Sequence, residues 1–222
     1  RQRQMCIRDR LSIRSREAVN TVSQGWQRAL PKLLVTRARF PIMMVGLGAC
    51  VFTGLMTFQT SLVRGTNLQA STYFAVYAVT VVLARLTLAS FLARVQADRL
   101  AVSLLVLMNL GVLVANFMTL GVAAQVGSAV LMGLGYGLVY SVIQTQVIND
   151  APPELRQAAL TWFVLAYFVG IFGFPMLGGW VIVHMGTAWC LALVLALALA
   201  ELMLALFRNG RLPRSVSHPG AV

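Results

Sequence analysis

The chain has 222 residues, 59% of them hydrophobic and only 11% charged, with a formal net charge of +12 and a mean hydropathy of +0.79. Such a basic balance can signal nucleic-acid binding. Here the basic residues adjoin apolar runs, where topology and anionic lipid account for them, and no soluble domain is left to carry a nucleic-acid face. Cys6, Cys50 and Cys190 have neither disulfide nor metal-ligand spacing, and His184 and His218 are the only histidines, so no cofactor, metal centre or catalytic constellation is expected.

Residues 1–10 resemble translated sequencing-adapter DNA, with Met5-Cys6-Ile7-Arg8-Asp9 as one reading frame of a common transposase end. Setting them aside removes four Arg and one Asp and lowers the charge from +12 to +9. An adapter there also implies that sequence upstream is missing. Residues 11–39 are basic, with Val19, Val22, Trp26, Leu30 and Leu33 at helical spacing, which fits either an interfacial helix on the inner leaflet or a plain connecting loop.

Six apolar runs follow, at 40–63, 73–93, 100–118, 122–148, 158–183 and 188–207. Each is near or above the ~20 residues a spanning helix needs. The expected fold class is therefore all-α: a polytopic six-helix membrane bundle in the lipid bilayer. Pro41 sits where a helix start tolerates it, and Ser71 or Thr72 is placed to cap the second span. Cys50 and Cys190 read as small packing residues. The tail 209–222 is expected to be disordered.

Six spans put Arg14, Arg16, Arg28, Lys32, Arg37, Arg39, Arg94, Arg99, Arg156, Arg208, Arg211 and Arg214 on one side and only Arg64 on the other. The first side, with both chain ends, is expected to be cytoplasmic.

Inside the spans, Arg85 lies about nine residues, or ~13 Å, from the cytoplasmic end of its run. An ionised group at that depth should face protein, water or a partner. It either binds an anion or relays charge, or it pairs structurally or snorkels. Glu201 lies comparably deep and is a proton-coupling carboxylate, a partner of Arg85, or a packing residue. Asn109 and Asn116 read as polar glue between helices.

Two segments carry more than topology. The fourth span contains Gly133-Leu-Gly135-Tyr136-Gly137-Leu-Val-Tyr140, in which Gly133 and Gly137 are four apart and let a neighbouring helix come close. A dinucleotide fingerprint fails for want of a third glycine in register and of a surrounding βαβ unit. The fifth span contains Gly170-Ile-Phe-Gly173-Phe174-Pro175-Met-Leu-Gly178-Gly179, where Pro175 should kink the helix and Gly173, Gly178 and Gly179 offer thin surfaces.

The glycine-rich span with Tyr140, then Pro-Pro-Glu-Leu-Arg-Gln-Ala at 152–158, then Gly-x-x-Gly-x-Pro-x-x-Gly-Gly resembles the C-terminal half of a major facilitator superfamily transporter, nearest to bacterial arabinose-efflux and drug-efflux permeases. The resemblance implies helices 7 to 12 of a twelve-helix fold, with a partner six-helix half upstream and residues 11–39 as the cytoplasmic loop between the halves. It implies a bacterial inner-membrane location and a secondary active transporter moving a small molecule by alternating access, through proton-coupled efflux. It also implies a cavity lined by Phe52, Met56, Gln59, Tyr73, Tyr77, Tyr136, Tyr140, Gln144, Trp162 and Tyr167, with Arg85. The family's latch motif between helices 8 and 9 is degraded in this chain: 89–99 lacks its glycines, and the acid is displaced to Asp98. Residues 173–179 resemble only the pseudo-symmetric counterpart of a helix 5 efflux motif, with Phe174 inserted. The competing reading is a six-helix scaffold or accessory subunit acting as a homodimer.

Overall fold

The computed structural model describes residues 26–92 and 95–210. The adapter-like stretch 1–10, the first part of the basic segment and residues 211–222 lie outside them. Among the described residues eight α-helices follow one another: α1 (Trp26–Val35), α2 (Arg39–Thr57), α3 (Gln59–Leu62), α4 (Ala70–Leu92), α5 (Ala97–Ala115), α6 (Val122–Asp150), α7 (Arg156–Met185) and α8 (Thr187–Gly210). Six of them, all except α1 and the short α3, are long and apolar enough to cross a membrane.

The boundaries differ from the hydropathy runs where local chemistry intervenes. The first run breaks at Phe58 and resumes as α3, and the third ends at Ala115 before a 3₁₀ turn at Met118–Leu120. Because α4 begins at Ala70, Ser71 and Thr72 fall inside its first turn, and the Ser71 hydroxyl donates to Gln69 Oε1 at 3.5 Å. Asn209 and Gly210, expected in the tail, belong to α8. Only Gly186 joins α7 to α8. Its φ of +94° is a left-handed conformation open to glycine at little cost, and this lets the chain reverse in one residue.

α2 is the hub of the bundle, packing on α6, α7 and α8, while α5 joins α6 to α8. α4 rests mainly on α6, and α1 lies against α7 with Ala29 and Leu33 buried. Two spans, α4 and α7, are consequently left largely uncovered within this unit.

Glycines set the closest approaches. A methyl group at Gly133 would come within 2.9 Å of Thr80, and one at Gly137 within 2.6 Å of Val81, so this pair admits α4. Gly135 faces the other way, 2.5 Å in the same sense from the Met108 backbone nitrogen of α5. On α7 the packing glycines are Gly170, against Gly46 and Ala49 of α2, and Gly178, against Phe58. Gly173 and Gly179, expected as packing surfaces, meet nothing within 4 Å among the described residues because they lie on the uncovered side. Pro175 sits inside a helix that runs without interruption from Arg156 to Met185.

Candidate functional site

The aromatic residues of α2, α4, α6 and α7 form a cluster of two ring groups that follow one another along one face of α6. Phe52 stacks on Tyr136 with centroids 4.7 Å apart and also meets Tyr77 at 5.8 Å. Tyr140, one turn along α6 from Tyr136, packs at 5.2 Å against both Phe163 and Tyr167. The four-residue spacing of Tyr136 and Tyr140 puts them on one helix face, where α2 covers the first and α7 the second. Tyr77, Tyr140 and Tyr167 are half-buried, whereas Tyr136 is enclosed, and its hydroxyl has no hydrogen-bond partner among the described residues.

Arg85 borders this cluster, with Tyr77 as an electrostatic neighbour. Its Nε and Nη2 both donate to the carbonyl oxygen of Gly137, at 3.3 and 3.1 Å. The glycine that admits α4 thus also exposes a backbone acceptor to the guanidinium. The contact ties α4 to α6 and holds the plane of the fork, while the rest of the side chain stays exposed.

Other expected lining residues do not join the cluster. Gln59 is fully enclosed and donates from Nε2 to Met118 Sδ at 3.5 Å, and Tyr73 is equally enclosed, near the start of α4. Trp162, at the opposite end, gives its indole N–H to the Trp26 carbonyl oxygen at 2.9 Å and packs edge-on against the Trp26 ring. It anchors α1 to α7. Gln144, half-buried, lies one turn beyond Tyr140 on α6. Met56 is half-buried against the core.

Glu201 does not pair with Arg85. Its carboxyl is fully enclosed against α2, where a methyl group on Gly48 would approach both oxygens to 2.9 Å, and neither oxygen has a partner among the described residues. Asn109 bridges α5 to α8 by donating to Ala198 O at 3.1 Å, as polar glue should, whereas Asn116 bonds Val112 O of its own helix.

A second polar centre was not foreseen from the sequence. At the basic end of the bundle, Arg208 of α8 is buried and forks onto Asp150 of α6, Nε to Oδ2 at 2.9 Å and Nη2 to Oδ1 at 3.1 Å. Its Nη1 reaches Asp98 of α5, which also accepts from Gln146 Nε2 at 3.0 Å, and Arg37 donates to the Arg208 carbonyl oxygen. Asp98 is therefore engaged through the C-terminal end of α8. The separation in sequence, with partners at 98, 150 and 208, hid the cluster. Among the described residues no three His, Cys, Asp or Glu side chains come together as a metal site would need.

No family model and no curated protein matches the chain. Among solved structures it is similar to the in meso crystal structure of the POT family transporter PepTSo, with a TM-score of 0.71, 14% identity and coverage of 83% of this chain. The match spans 39% of that transporter's length. At that identity the likeness is one of fold: the chain is an all-α polytopic membrane bundle, with six helices long and apolar enough to cross a membrane, folded like part of that structure.

Proposed function

We propose that the chain is the C-terminal six-helix half of a major facilitator-type secondary transporter, which moves a small molecule by alternating access about a site between two halves. The observation that carries this reading is Arg85, an exposed cation within a candidate membrane span, on the side of the unit that its own helices leave open. Facing lipid would cost it up to about 2.5–3.5 kcal/mol, the insertion-scale figure for a charge at a helix centre. A water-filled cavity or a second half removes that cost, and the half-buried tyrosines beside it suit a mostly apolar pocket with few polar contacts.

Proton-coupled efflux is the form of transport proposed, with Glu201 as the carboxyl candidate, since a deep acid without an ion partner is unusual unless it serves a pathway. The test compares two reconstituted proteins. The complete reading frame recovered from source DNA is expected to encode six further spans and to move solute against a gradient in proteoliposomes. The 222-residue chain alone is expected not to. Gradient-driven transport by the 222-residue chain alone would overturn the half-transporter reading, and a native start just before Leu11 would favour the homodimeric scaffold.

A further inference from the structure

The charge balance around Arg85 narrows the solutes such a transporter would accept. Within the described helix, Arg85 lies seven residues from Leu92, or about 10 Å. No acid among the described residues forms an ion pair with Arg85. Asp98 and Asp150 hold Arg208, Glu201 is closed against Gly48 with Tyr136 as an electrostatic neighbour, and Glu154 sits in the 3₁₀ turn before α7. The Gly137 carbonyl oxygen orients the guanidinium through Nε and Nη2 but does not neutralise it. Nη1 carries two further N–H groups, and no hydrogen bond from it is formed among the described residues. Half-buried Tyr77 is an electrostatic neighbour of Arg85 and of Tyr167, Tyr167 packs on Tyr140, and near these three lies Tyr136, more than nine-tenths buried, its hydroxyl without a partner among the described residues.

We propose that Arg85 and the tyrosine cluster form a binding site for an organic anion with a flat apolar body, a carboxylate meeting the free Nη1 edge and the ring lying among Tyr77, Tyr140 and Tyr167. This rests on the transporter reading and gives it a substrate class. A pre-oriented guanidinium matches a carboxylate in charge and in the planarity of its donors. The aromatic faces favour offset or edge-on ring contacts. A cationic solute meets repulsion there, and a neutral one forgoes the charge-assisted contact.

The test uses the protein of the complete reading frame, purified in detergent micelles, and two probes of equal shape, naphthalene-2-carboxylate and naphthalene-2-carboxamide, with binding read by equilibrium dialysis against protein-free micelles. The carboxylate is expected to bind on the order of tenfold tighter, as one charge-assisted contact warrants. Arg85→Ala should abolish the preference, so that carboxylate and carboxamide bind with equal affinity. Arg85→Lys, which keeps the charge without the fork, should retain an intermediate preference. Equal retention of the two probes by the unmodified protein, including retention of neither, overturns the proposal without recourse to any variant. So does a carboxylate preference that survives Arg85→Ala. Gradient-driven movement of a neutral or cationic solute by the complete protein would in that case leave the transporter reading standing while the anion site falls.

Discussion

Gly133, Gly135 and Gly137 stand at alternate positions of α6, a spacing that belongs to no single helix face. Two neighbours share them: α4 approaches the outer pair and α5 the middle one. Gly133 and Gly137 were legible in sequence as a four-residue pair, but Gly135 was not, because its role exists only once α5 has packed. A Cβ at Gly135 would meet the backbone atoms Met108 N and Leu104 O at 2.5 and 2.7 Å, and backbone cannot rotate aside as a side chain can. Gly135→Ala should therefore destabilise the bundle by about 1–3 kcal/mol. Gly173 meets nothing within 4 Å, so Gly173→Ala should be neutral or gain the ~0.5–1 kcal/mol that alanine holds over glycine inside a helix. Thermal unfolding in one detergent compares the two variants, and a similar loss in both would remove the packing account.

Between elements, the Arg208 centre joins α5, α6 and α8 at their basic ends. The fork onto Asp150 and the arm to Asp98 satisfy a guanidinium that is 4% exposed, and that degree of burial makes each partner matter. Removing one carboxylate leaves charge enclosed without compensation, so Asp150→Ala should cost about 3–5 kcal/mol. Removing both ends of the pair should cost less than the sum of the single losses, because the second change deletes a charge the first had orphaned. Unfolding of Asp150→Ala, Arg208→Ala and the double variant measures that coupling, and additive losses would show that the contacts act independently. Individual helices were readable from hydropathy because lipid imposes length and apolarity on each one separately. Their end-to-end wiring was not readable. Arg208 had an adequate explanation as a topological charge, and nothing in the local sequence distinguishes it from Arg211, three residues further on. The candidate site divides in the same way. Tyr136 and Tyr140 follow from helical spacing, but Gln59, Tyr73 and Trp162 were selected by helix alone, and packing turned them to enclosed positions or to the α1 contact.

On the scale of the whole molecule, the strongest constraint is the one-sided distribution of basic residues, which packing reinforces. Arg37, Asp98, Asp150 and Arg208 gather at a single end, which α1 also flanks through Trp26 and Trp162, while Arg64 lies in the turn at the other. A chain inserted the opposite way would carry its Lys and Arg surplus across the membrane, against the bias that orients polytopic proteins. The end holding Arg208 is thus expected to face the cytoplasm. With Cys6, Cys50 and Cys190 replaced by serine, a single cysteine can be placed at exposed Asn67 or at exposed Asn149. In intact cells a membrane-impermeant maleimide should label Asn67→Cys and spare Asn149→Cys until the membrane is opened. The reverse pattern would invert the topology, and with it the side from which a solute first meets Arg85; labelling of both positions in sealed cells would mean that the chain inserts in both orientations.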